Sequence, residues 1–328
     1  MVVEKRLKVA LVQESPVFLN LPASILKAKA LIGKAAATGA KMVVFPETWL
    51  PGYPVWLDTA KEAALWDHQG AKSLYRLLCQ NSLALGSEPF RQLQCIAGEK
   101  RIQLVMGCHE INGNTLYNTM VFFSANGQDF QIHRKLIPTY NEQMIWGRGD
   151  GSTLKTLDSE LGPIGGLICW EHWMPLARAA MHARKEVVHV AQWPSVIELH
   201  QLASRHYAFE GRCFVLACGC VLSKKQVLEG FDSLEENEPE ARRMLENMAT
   251  GADDLLMTGG SAVIGPTAAY ITPPSYDPRA IVYADLNPAL IREAAMVMDT
   301  NGHYARPDVF SLSVNDAPMG PVDFLTEK

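Results

Sequence analysis

Hydrophobic and polar positions follow alternating strand and helix patterns through the first hundred residues. Residues 7–13, LKVALVQ, form an apolar run typical of a buried strand. A helix is predicted next, over 21–39, with one apolar face formed by Leu21, Ile25, Ala28, Ile32 and Ala35. A second strand is predicted at 40–47, where Pro46 ends it, and a long helical region at 70–98.

From residue 101 the pattern changes to consecutive strands. Three strands are predicted in RIQLVMGCHE, LYNTMVFFSA and FQIHRKLIP, and the turn sequences INGN and NGQD join them. The strand GPIGGLICWE then precedes a helix that begins at Pro175. The strands EVVHVAQW and CFVLACGCV flank a further helix, VIELHQLASRHYAFEGR. Such a mixture of βα units and hairpins is typical of sheets covered by helices.

The last third of the chain contains an acidic segment between more regular elements. Residues 224–258 include DSLEENEPEARR and are predicted to form a solvent-exposed insertion or lid. Two strands, a helix and the tail NGHYARPDVFSL follow. No linker composition and no internal repeat divides the chain, so we expect one domain over 1–328. The first strand leads into QESPVF, which lacks the glycines of a dinucleotide-binding turn.

Composition narrows the classes of function. The chain has 328 residues, of which 48% are hydrophobic and 20% charged, as in ordinary soluble proteins. A net charge of -5 without a basic cluster gives no support for nucleic acid or an anionic membrane as a partner. No apolar run is long enough for a membrane span. The charged residues 4–6 before a short apolar run predict a first strand rather than an export signal, so we expect a cytoplasmic protein.

The seven cysteines are predicted to be reduced thiols, because their number is odd and no export signal is recognised. There is no C-x-x-C motif, and the histidines show no metal-ligand spacing. Cys218 and Cys220 would share one face of a strand, where two buried thiols are favoured over a metal site.

Cys169 is the first candidate for chemistry. It ends the apolar run GGLIC and precedes Trp170, Glu171 and His172. A thiol between a strand and a helix is favoured as a thiolate by nearby backbone amides. The alternative is a small buried core residue, which is the commoner role of cysteine. His172 is only three residues away, and no Asn or Asp is identified to orient it as a base.

Glu47 and Lys135 are the candidate partners of this thiol. Glu47 follows the apolar residues of VVFPETWLPGYP at a strand end, beside an unusually aromatic loop. Lys135, in FQIHRKLIPTYNE, also lies at a strand end, where it would stabilise an anionic intermediate and lower its own pKa. A solvent-facing glutamate and a solvated edge lysine are the alternatives. Glu142 is a second candidate carboxylate, indistinguishable by itself from a loop residue.

Three segments in order resemble the signature regions of the nitrilase, or carbon–nitrogen hydrolase, superfamily. These are FPETWLPGYP, HRKLIPTYNEQMIWGRGDG and GGLICWEHWMP, and GHYARPDVF resembles the C-terminal segment of nitrilases. The resemblance implies a four-layer α-β-β-α sandwich and a Glu–Lys–Cys triad. It assigns Glu47 as general base, Lys135 as the lysine and Cys169 as the nucleophile, with Glu142 beside the lysine. It implies no metal and no organic cofactor.

The same resemblance favours the nitrilase branch, because Cys169 is followed by Trp-Glu. It implies hydrolysis of an organic nitrile to a carboxylic acid and ammonia, with an amidase of the same superfamily as the alternative. A non-catalytic binding or scaffold protein is the alternative from another class. The candidate pocket residues are Trp170, Tyr53, Trp56 and Trp193, each of which could instead be core packing. Homodimers or larger homo-oligomers are expected, with residues 300–328 as an oligomerisation tail.

Overall fold

The computed structural model describes residues 6–251 and 254–320, which contain fourteen strands and nine helices. The strands are β1 (Leu7–Val12), β2 (Met42–Val44), β3 (Gln103–Asn112), β4 (Thr115–Phe123), β5 (Phe130–Arg134), β6 (Leu157–Ser159), β7 (Gly162–Ile168), β8 (Val188–Gln192), β9 (Phe214–Cys218), β10 (Val221–Ser223), β11 (Leu255–Thr258), β12 (Ser261–Ile264), β13 (Tyr270–Ser275) and β14 (Ile281–Leu286). The helices are α1 (Leu21–Ala37), α2 (Trp56–Thr59), α3 (Gln69–Gln80), α4 (Glu88–Lys100), α5 (Pro175–Ala183), α6 (Glu198–Gly211), α7 (Lys224–Asp232), α8 (Pro239–Glu246) and α9 (Ala289–Ala295).

Two six-stranded sheets form the centre of the molecule. The first has the order β14-β1-β2-β3-β4-β5 and the second β13-β12-β9-β8-β7-β6. Each contains three parallel strands, β1-β2-β3 in one and β7-β8-β9 in the other, with antiparallel strands on both sides. This agrees with the expected α-β-β-α sandwich. β2 and β7 each belong to one of these parallel sets, and the residues that follow them include Glu47 and Cys169.

The two faces of the first sheet bury different neighbours. Val9 and Leu11 belong to the apolar cluster that includes the strands of the second sheet. Ala10 and Val12, one residue out of phase, belong to the cluster formed with the helices on the other side. Alternate residues of a strand point to opposite faces, so a continuous apolar run is required for a strand buried on both faces.

The first predicted helix is confirmed, whereas the long helical region at 70–98 is two helices. α1 buries the predicted face and ends before Gly39, which has φ +87°. α3 and α4 are separated by residues 81–87. Within that break the N–H of Leu83 donates to the carbonyl of His109, and Leu83 accepts from Ile111. Pairing with the edge of β3 therefore interrupts the helix.

The prediction of a solvent-exposed insertion at 224–258 was wrong. Within its described part the segment forms α7, α8 and β11, and it buries Val227, Phe231, Met244 and Leu245 in the helical layer. A Cβ at Gly70 of α3 would lie 2.8 Å from the carbonyl oxygen of Glu240, which shows how closely α3 and α8 pack. The acidic residues line the outer face of a packed layer.

Cys218 and Cys220 are both buried, but they do not share one strand face. β9 ends at Cys218, and Cys220 precedes β10. Cys218 therefore packs with the second sheet, and Cys220 with the helical cluster of the first. The chain direction changes at Gly219, where a Cβ would meet the carbonyl of Gly259 at 2.6 Å.

Residues 300–320 contain turns and extended chain and are largely exposed. The remainder of the predicted tail, 321–328, lies outside the described residues. Among the helices of the described ranges, none combines the length and apolarity needed to cross a bilayer.

Candidate active site

Glu47 lies in the loop that leaves β2 and is almost completely buried, at 1% exposure. The loop crosses β3 at Gly107, where a Cβ would lie 2.0 Å from the carbonyl oxygen of Pro46. A side chain at that position would push the loop away from the sheet. The glycine therefore allows the carboxylate to approach the interior of the sandwich.

Lys135 and Cys169 come to the same place from two other strand ends. Lys135 follows β5, and its backbone N–H donates to the carbonyl of Asn118 at 2.8 Å. Cys169 follows β7 directly. A carboxylate oxygen of Glu47, one of Glu142 and the sulfur of Cys169 all lie within 4.8 Å of one another. The structure thus brings together all four residues that the sequence proposed for catalysis.

The ammonium of Lys135 lies between the two carboxylates. Its Nζ donates to Oε1 of Glu47 at 3.0 Å and to Oε2 of Glu142 at 2.7 Å. All three groups are withdrawn from solvent, so their charges interact with little screening. A cation between the same carboxylates would meet this ammonium, and the donor set is therefore poorly suited to a metal ion.

Two further side chains orient the carboxylates. The sequence did not predict this orienting role for either of them. Asn118, on β4, donates from Nδ2 to Oε1 of Glu47 at 2.7 Å. The hydroxyl of Tyr53 donates to Oε1 of Glu142 at 2.9 Å. Oε2 of Glu47 has no hydrogen-bond partner within the described ranges. This oxygen remains available to accept a proton.

Burial and charge set the protonation of the cluster. Burial, only partly opposed by the charge of Lys135, raises the pKa of Glu47 to about 7. Burial and the charge of Glu47 raise the pKa of the Cys169 thiol well above its usual value. The resting cysteine is therefore a thiol, and a carboxylate beside it has the affinity for a proton that a base needs near neutral pH.

The expectation that Lys135 lowers its own pKa was wrong. Burial alone would lower it, but the charges of Glu47, Cys169 and Glu142 outweigh this and raise the pKa of the ammonium. An ammonium between two carboxylates is stabilised by both. Lys135 is therefore a fixed positive charge rather than a proton acceptor.

Cys169 has the left-handed backbone conformation, with φ +55°, at the start of a 3₁₀ turn over Cys169–Trp173. This conformation is costly for residues with a Cβ and persists where the surroundings impose it. The backbone N–H of Trp170 also interacts with the thiol and favours its charged form. The sharp turn aims the sulfur at the carboxylates.

Glu171 connects the strand ends that carry Lys135 and Cys169. Its Oε1 accepts the N–H of Leu136 at 2.8 Å, and its Oε2 accepts the N–H of Ile168 at 2.6 Å. His133 contacts the same Oε2 at 2.9 Å. In the sequence this residue serves only as a branch marker. No sequence signal separates it from a solvent-facing glutamate, because its partners His133 and Leu136 lie far from it in the chain.

Gln192 forms a second connection between the sheets. It ends β8, beside the last residue of β7, and donates from Nε2 to the carbonyl of Phe45 at 2.7 Å. Phe45 is two residues before Glu47. The hydrogen bond therefore ties the sheet that carries the nucleophile to the loop that carries the base.

His172 is not placed as a base for the thiol. Its Nδ1 lies 2.7 Å from the carbonyl oxygen of Cys169, and its Nε2 lies 3.0 Å from Nε2 of His189. Burial and the neighbouring His189 lower the pKa of His172 to about 3. The imidazole is neutral and contacts the backbone of the nucleophile instead of its sulfur.

The four predicted pocket aromatics occupy different environments. Trp170 is 47% exposed, whereas Tyr53 is buried against Glu142. Trp56 is buried and packs edge-on against Phe18, with the ring centres 5.9 Å apart. Trp193 is buried between the rings of two histidines. The ring contacts of Trp56 and Trp193 are those of core residues, and their role in substrate binding stays a prediction.

Comparison with known proteins agrees with this geometry. The carbon–nitrogen hydrolase family profile matches residues 8–296. The chain is 35% identical to Nitrilase 3 of Arabidopsis thaliana, over 98% of this chain and 90% of that protein. It is 36% identical to the bifunctional nitrilase/nitrile hydratase NIT4A of Lupinus angustifolius, over 97% and 88% of the two chains.

Solved structures extend the likeness to the fold. The crystal structure of Saccharomyces cerevisiae Nit3, a member of branch 10 of the nitrilase superfamily, superposes with a TM-score of 0.66. It is 19% identical in sequence, and the match covers 92% of this chain and 97% of that one. The profile match and the extent of identity to nitrilases establish that the chain belongs to the carbon–nitrogen hydrolase family, in its nitrilase branch.

Proposed function

We propose that the protein is a nitrilase that converts an organic nitrile and two water molecules into a carboxylic acid and ammonia. The observation that carries the proposal is the buried cluster of Cys169, Glu47, Lys135 and Glu142. The nitrilases of similar sequence support the same reaction.

The first half of the reaction forms a covalent bond to sulfur. The free oxygen of Glu47 accepts the thiol proton as the sulfur of Cys169 adds to the nitrile carbon. The negative charge that develops on nitrogen is stabilised by the ammonium of Lys135 and by the backbone N–H of Trp170. Return of the proton from Glu47 to nitrogen gives a neutral thioimidate.

The second half uses both water molecules. One adds to the thioimidate carbon, and the tetrahedral intermediate expels ammonia to leave a thioester. The other, deprotonated by Glu47, attacks the thioester and releases the carboxylic acid with the thiol of Cys169 restored. If the tetrahedral intermediate expels sulfur instead of ammonia, an amide is the product. The ratio of acid to amide is therefore set by which group leaves.

Lys135 and Glu142 supply electrostatics rather than proton transfer. The ammonium of Lys135 is paired with both Glu142 and Glu47, so the cluster carries one positive and up to two negative charges. Tyr53, whose hydroxyl donates to Glu142, and Trp170, which directly follows Cys169 in the chain, support a preference for aromatic or arylaliphatic nitriles.

A substrate panel tests the proposal. Aliphatic, arylaliphatic and aromatic nitriles and the corresponding amides are incubated with the enzyme, and ammonia, acid and amide are measured. We expect ammonia and acid from nitriles, and none from a folded Cys169→Ala variant. Rapid ammonia release from amides with none from nitriles would identify an amidase instead. Absence of turnover from both classes would favour a binding protein.

We also propose that the chain forms a homodimer or larger homo-oligomer. Apolar side chains remain uncovered in the described part of the tail, where Phe310 is 77% exposed and Val309 56%. Light scattering coupled to size-exclusion chromatography measures the number of subunits in the assembly, and a truncation after residue 300 is expected to reduce that number. An unchanged number of subunits would show that the tail is not part of the interface.

A reducing compartment such as the cytoplasm is proposed for the protein. All seven cysteines are free, and five of them are buried. A free nucleophilic thiol is retained where thiols are kept reduced. Fractionation of the source cells with detection of the protein tests this location.

A further inference from the structure

A chain of buried hydrogen bonds leads from the nucleophile to Glu186, which takes no part in the reaction described above. Nδ1 of His172 contacts the carbonyl oxygen of Cys169 at 2.7 Å. Nε2 of His172 contacts Nε2 of His189 at 3.0 Å. Nδ1 of His189 contacts Oε1 of Glu186 at 2.9 Å. We call His172 and His189 the imidazole chain.

Counting protons along this chain fixes its direction. Its three contacts need three protons, and two neutral imidazoles supply only two. A carbonyl oxygen only accepts, so Nδ1–H of His172 donates to Cys169. Nε2 of His172 must then accept from His189, whose Nδ1 is left as an acceptor. The third proton therefore lies between Glu186 and His189. It resides either on the carboxyl of Glu186 or on Nδ1 of His189, which would then form an ion pair with the carboxylate.

The packing around Glu186 is built to hold this carboxyl. Gly165, in the second sheet, leaves the space that the carboxyl occupies, because a Cβ there would lie 1.9 Å from Oε1 of Glu186. The hydroxyl of Tyr207 donates to Oε2. The ring of Tyr207 stacks on His189 with the centres 3.6 Å apart. Each oxygen of the carboxyl thus has one defined role, as donor to His189 or acceptor from Tyr207.

We propose that Glu186 is a positioning residue: as a carboxylic acid it fixes the direction of the imidazole chain that holds the carbonyl of Cys169. The inference rests on the proposed function and adds a residue to the site. Cys169 needs such support because its backbone has the strained left-handed conformation. A hydrogen bond to its carbonyl stabilises the turn that aims the sulfur.

Loss of the proton breaks the arrangement. When Glu186 ionises and His189 stays neutral, two protons remain for three contacts. His189 then donates to the carboxylate, and His172 either faces a second acceptor or turns its own donor away from Cys169. In either case one contact joins two acceptors, which a buried site does not tolerate.

The electrostatic surroundings support an acid that ionises near neutral pH. Burial raises the pKa of Glu186 to about 7, and burial lowers that of His189 well below its usual value. The titratable groups that surround the carboxyl are His133 from β5, His182 from α5, His189 of β8, Tyr207 of α6 and Cys213 before β9. The neutral acid therefore predominates on the acidic side of about pH 7.

Three variants test the role of this proton. Glu186→Gln supplies a permanent donor to His189 and a permanent acceptor for Tyr207, so it imitates the acid without titrating. Glu186→Leu removes both roles. Glu240→Gln, at an exposed site of α8, is the matched control for the loss of one charge. For each, kcat and KM for a hydrolysed nitrile are measured from about pH 6 to about pH 9. The rate of Cys169 alkylation by iodoacetamide is followed by peptide mass mapping.

The glutamine variant is expected to match the wild type within about twofold at about pH 6 and to exceed it by up to about tenfold at about pH 9. The leucine variant is expected to lose about 100-fold in kcat with little change in KM, because the nucleophile is misplaced. Alkylation of Cys169 should follow the same order. If the leucine variant does not fold, the proposal is still tested by the ratio of the glutamine variant's activity to that of the wild type across the pH range.

Identical pH profiles for wild type and glutamine variant would overturn the proposal, as would a folded leucine variant of wild-type activity. The alkylation assay needs no nitrile turnover. If the wild type hydrolyses no nitrile but alkylation follows the expected order, the proposed function fails and the positioning role stands.

Discussion

The protonated state of Glu186 has a direct consequence for stability. The side chain is buried, and burial raises its pKa from 4.5 to about 7. The native protein thus keeps a proton that the unfolded chain releases above about pH 4.5. This contribution to the free energy of unfolding is fully present below about pH 4.5 and is lost as the pH rises through about 7.

The magnitude follows from the size of the shift. A difference of about 2.5 pKa units corresponds to about 3 kcal/mol, at about 1.4 kcal/mol per unit. Glu186→Gln has no proton to lose, so this part of the pH dependence is absent from the variant. The unfolding free energy of wild type minus that of the variant should therefore fall by about 3 kcal/mol between about pH 4.5 and about pH 7.

Urea denaturation followed by circular dichroism measures this difference at a series of pH values. Protein concentration is held fixed, because oligomer assembly changes apparent stability. Taking the difference between two proteins cancels the contribution of every other titrating group. Glu240→Gln, measured in the same way, is the control for the removal of an exposed carboxylate. A pH-independent difference for Glu186→Gln would refute the assignment of a neutral carboxylic acid.

Three further substitutions test separate parts of the account. Glu47→Gln should lower kcat by about 10²- to 10⁴-fold, and kcat/KM of the wild type should rise as the pH increases towards about 7, because the Glu47 base ionises in that range; a pH-independent wild-type rate below neutrality would contradict this. Gly165→Ala places a methyl group where Oε1 of Glu186 lies and should cost about 1–3 kcal/mol in urea denaturation; wild-type stability would mean that the carboxyl is free to move. Tyr53→Phe removes the hydrogen bond to Glu142 and should lower kcat about tenfold at an unchanged unfolding midpoint; unchanged steady-state kinetics would exclude that contact from catalysis.

Much of the fold was predictable because its signals are local. The apolar face of α1 and the turns at Gly113 and Gly127, both with positive φ, follow from periodicity and from residues that favour such turns. The break between α3 and α4 was not predictable, since Leu83 leaves helical geometry to pair with β3. A contact between residues distant in sequence overrides the local preference there.

The segment 224–258 was misinterpreted for a related reason. Its charged residues dominate the composition, whereas the few apolar ones are spaced along one face of α7 and one face of α8 and pack into the apolar cluster of the helical layer. Composition averages over both faces of a helix and hides such a stripe. Burial of Phe231 and Met244 became visible only with the partner helix in place.

In the site, Glu47, Lys135 and Cys169 could be proposed from their strand ends and the family resemblance, and Glu142 from the resemblance alone. The groups that orient them could not. Asn118, Glu171 and Gln192 act through contacts with other strands, and no spacing in the sequence records those contacts. The pKa of Lys135 rises because two carboxylates meet it in space, and this sum of charges exists only in the folded chain.

Nucleophilic attack by Cys169 on a nitrile can be observed directly by quenched-flow intact-protein mass spectrometry. The enzyme is mixed with a nitrile that the panel identifies as a substrate, quenched in acid and analysed before and after proteolysis. We expect an adduct of the nitrile's mass, or of the acid's mass less one water, on the peptide that contains Cys169. Turnover without any adduct on that peptide, or turnover by Cys169→Ala, would contradict it.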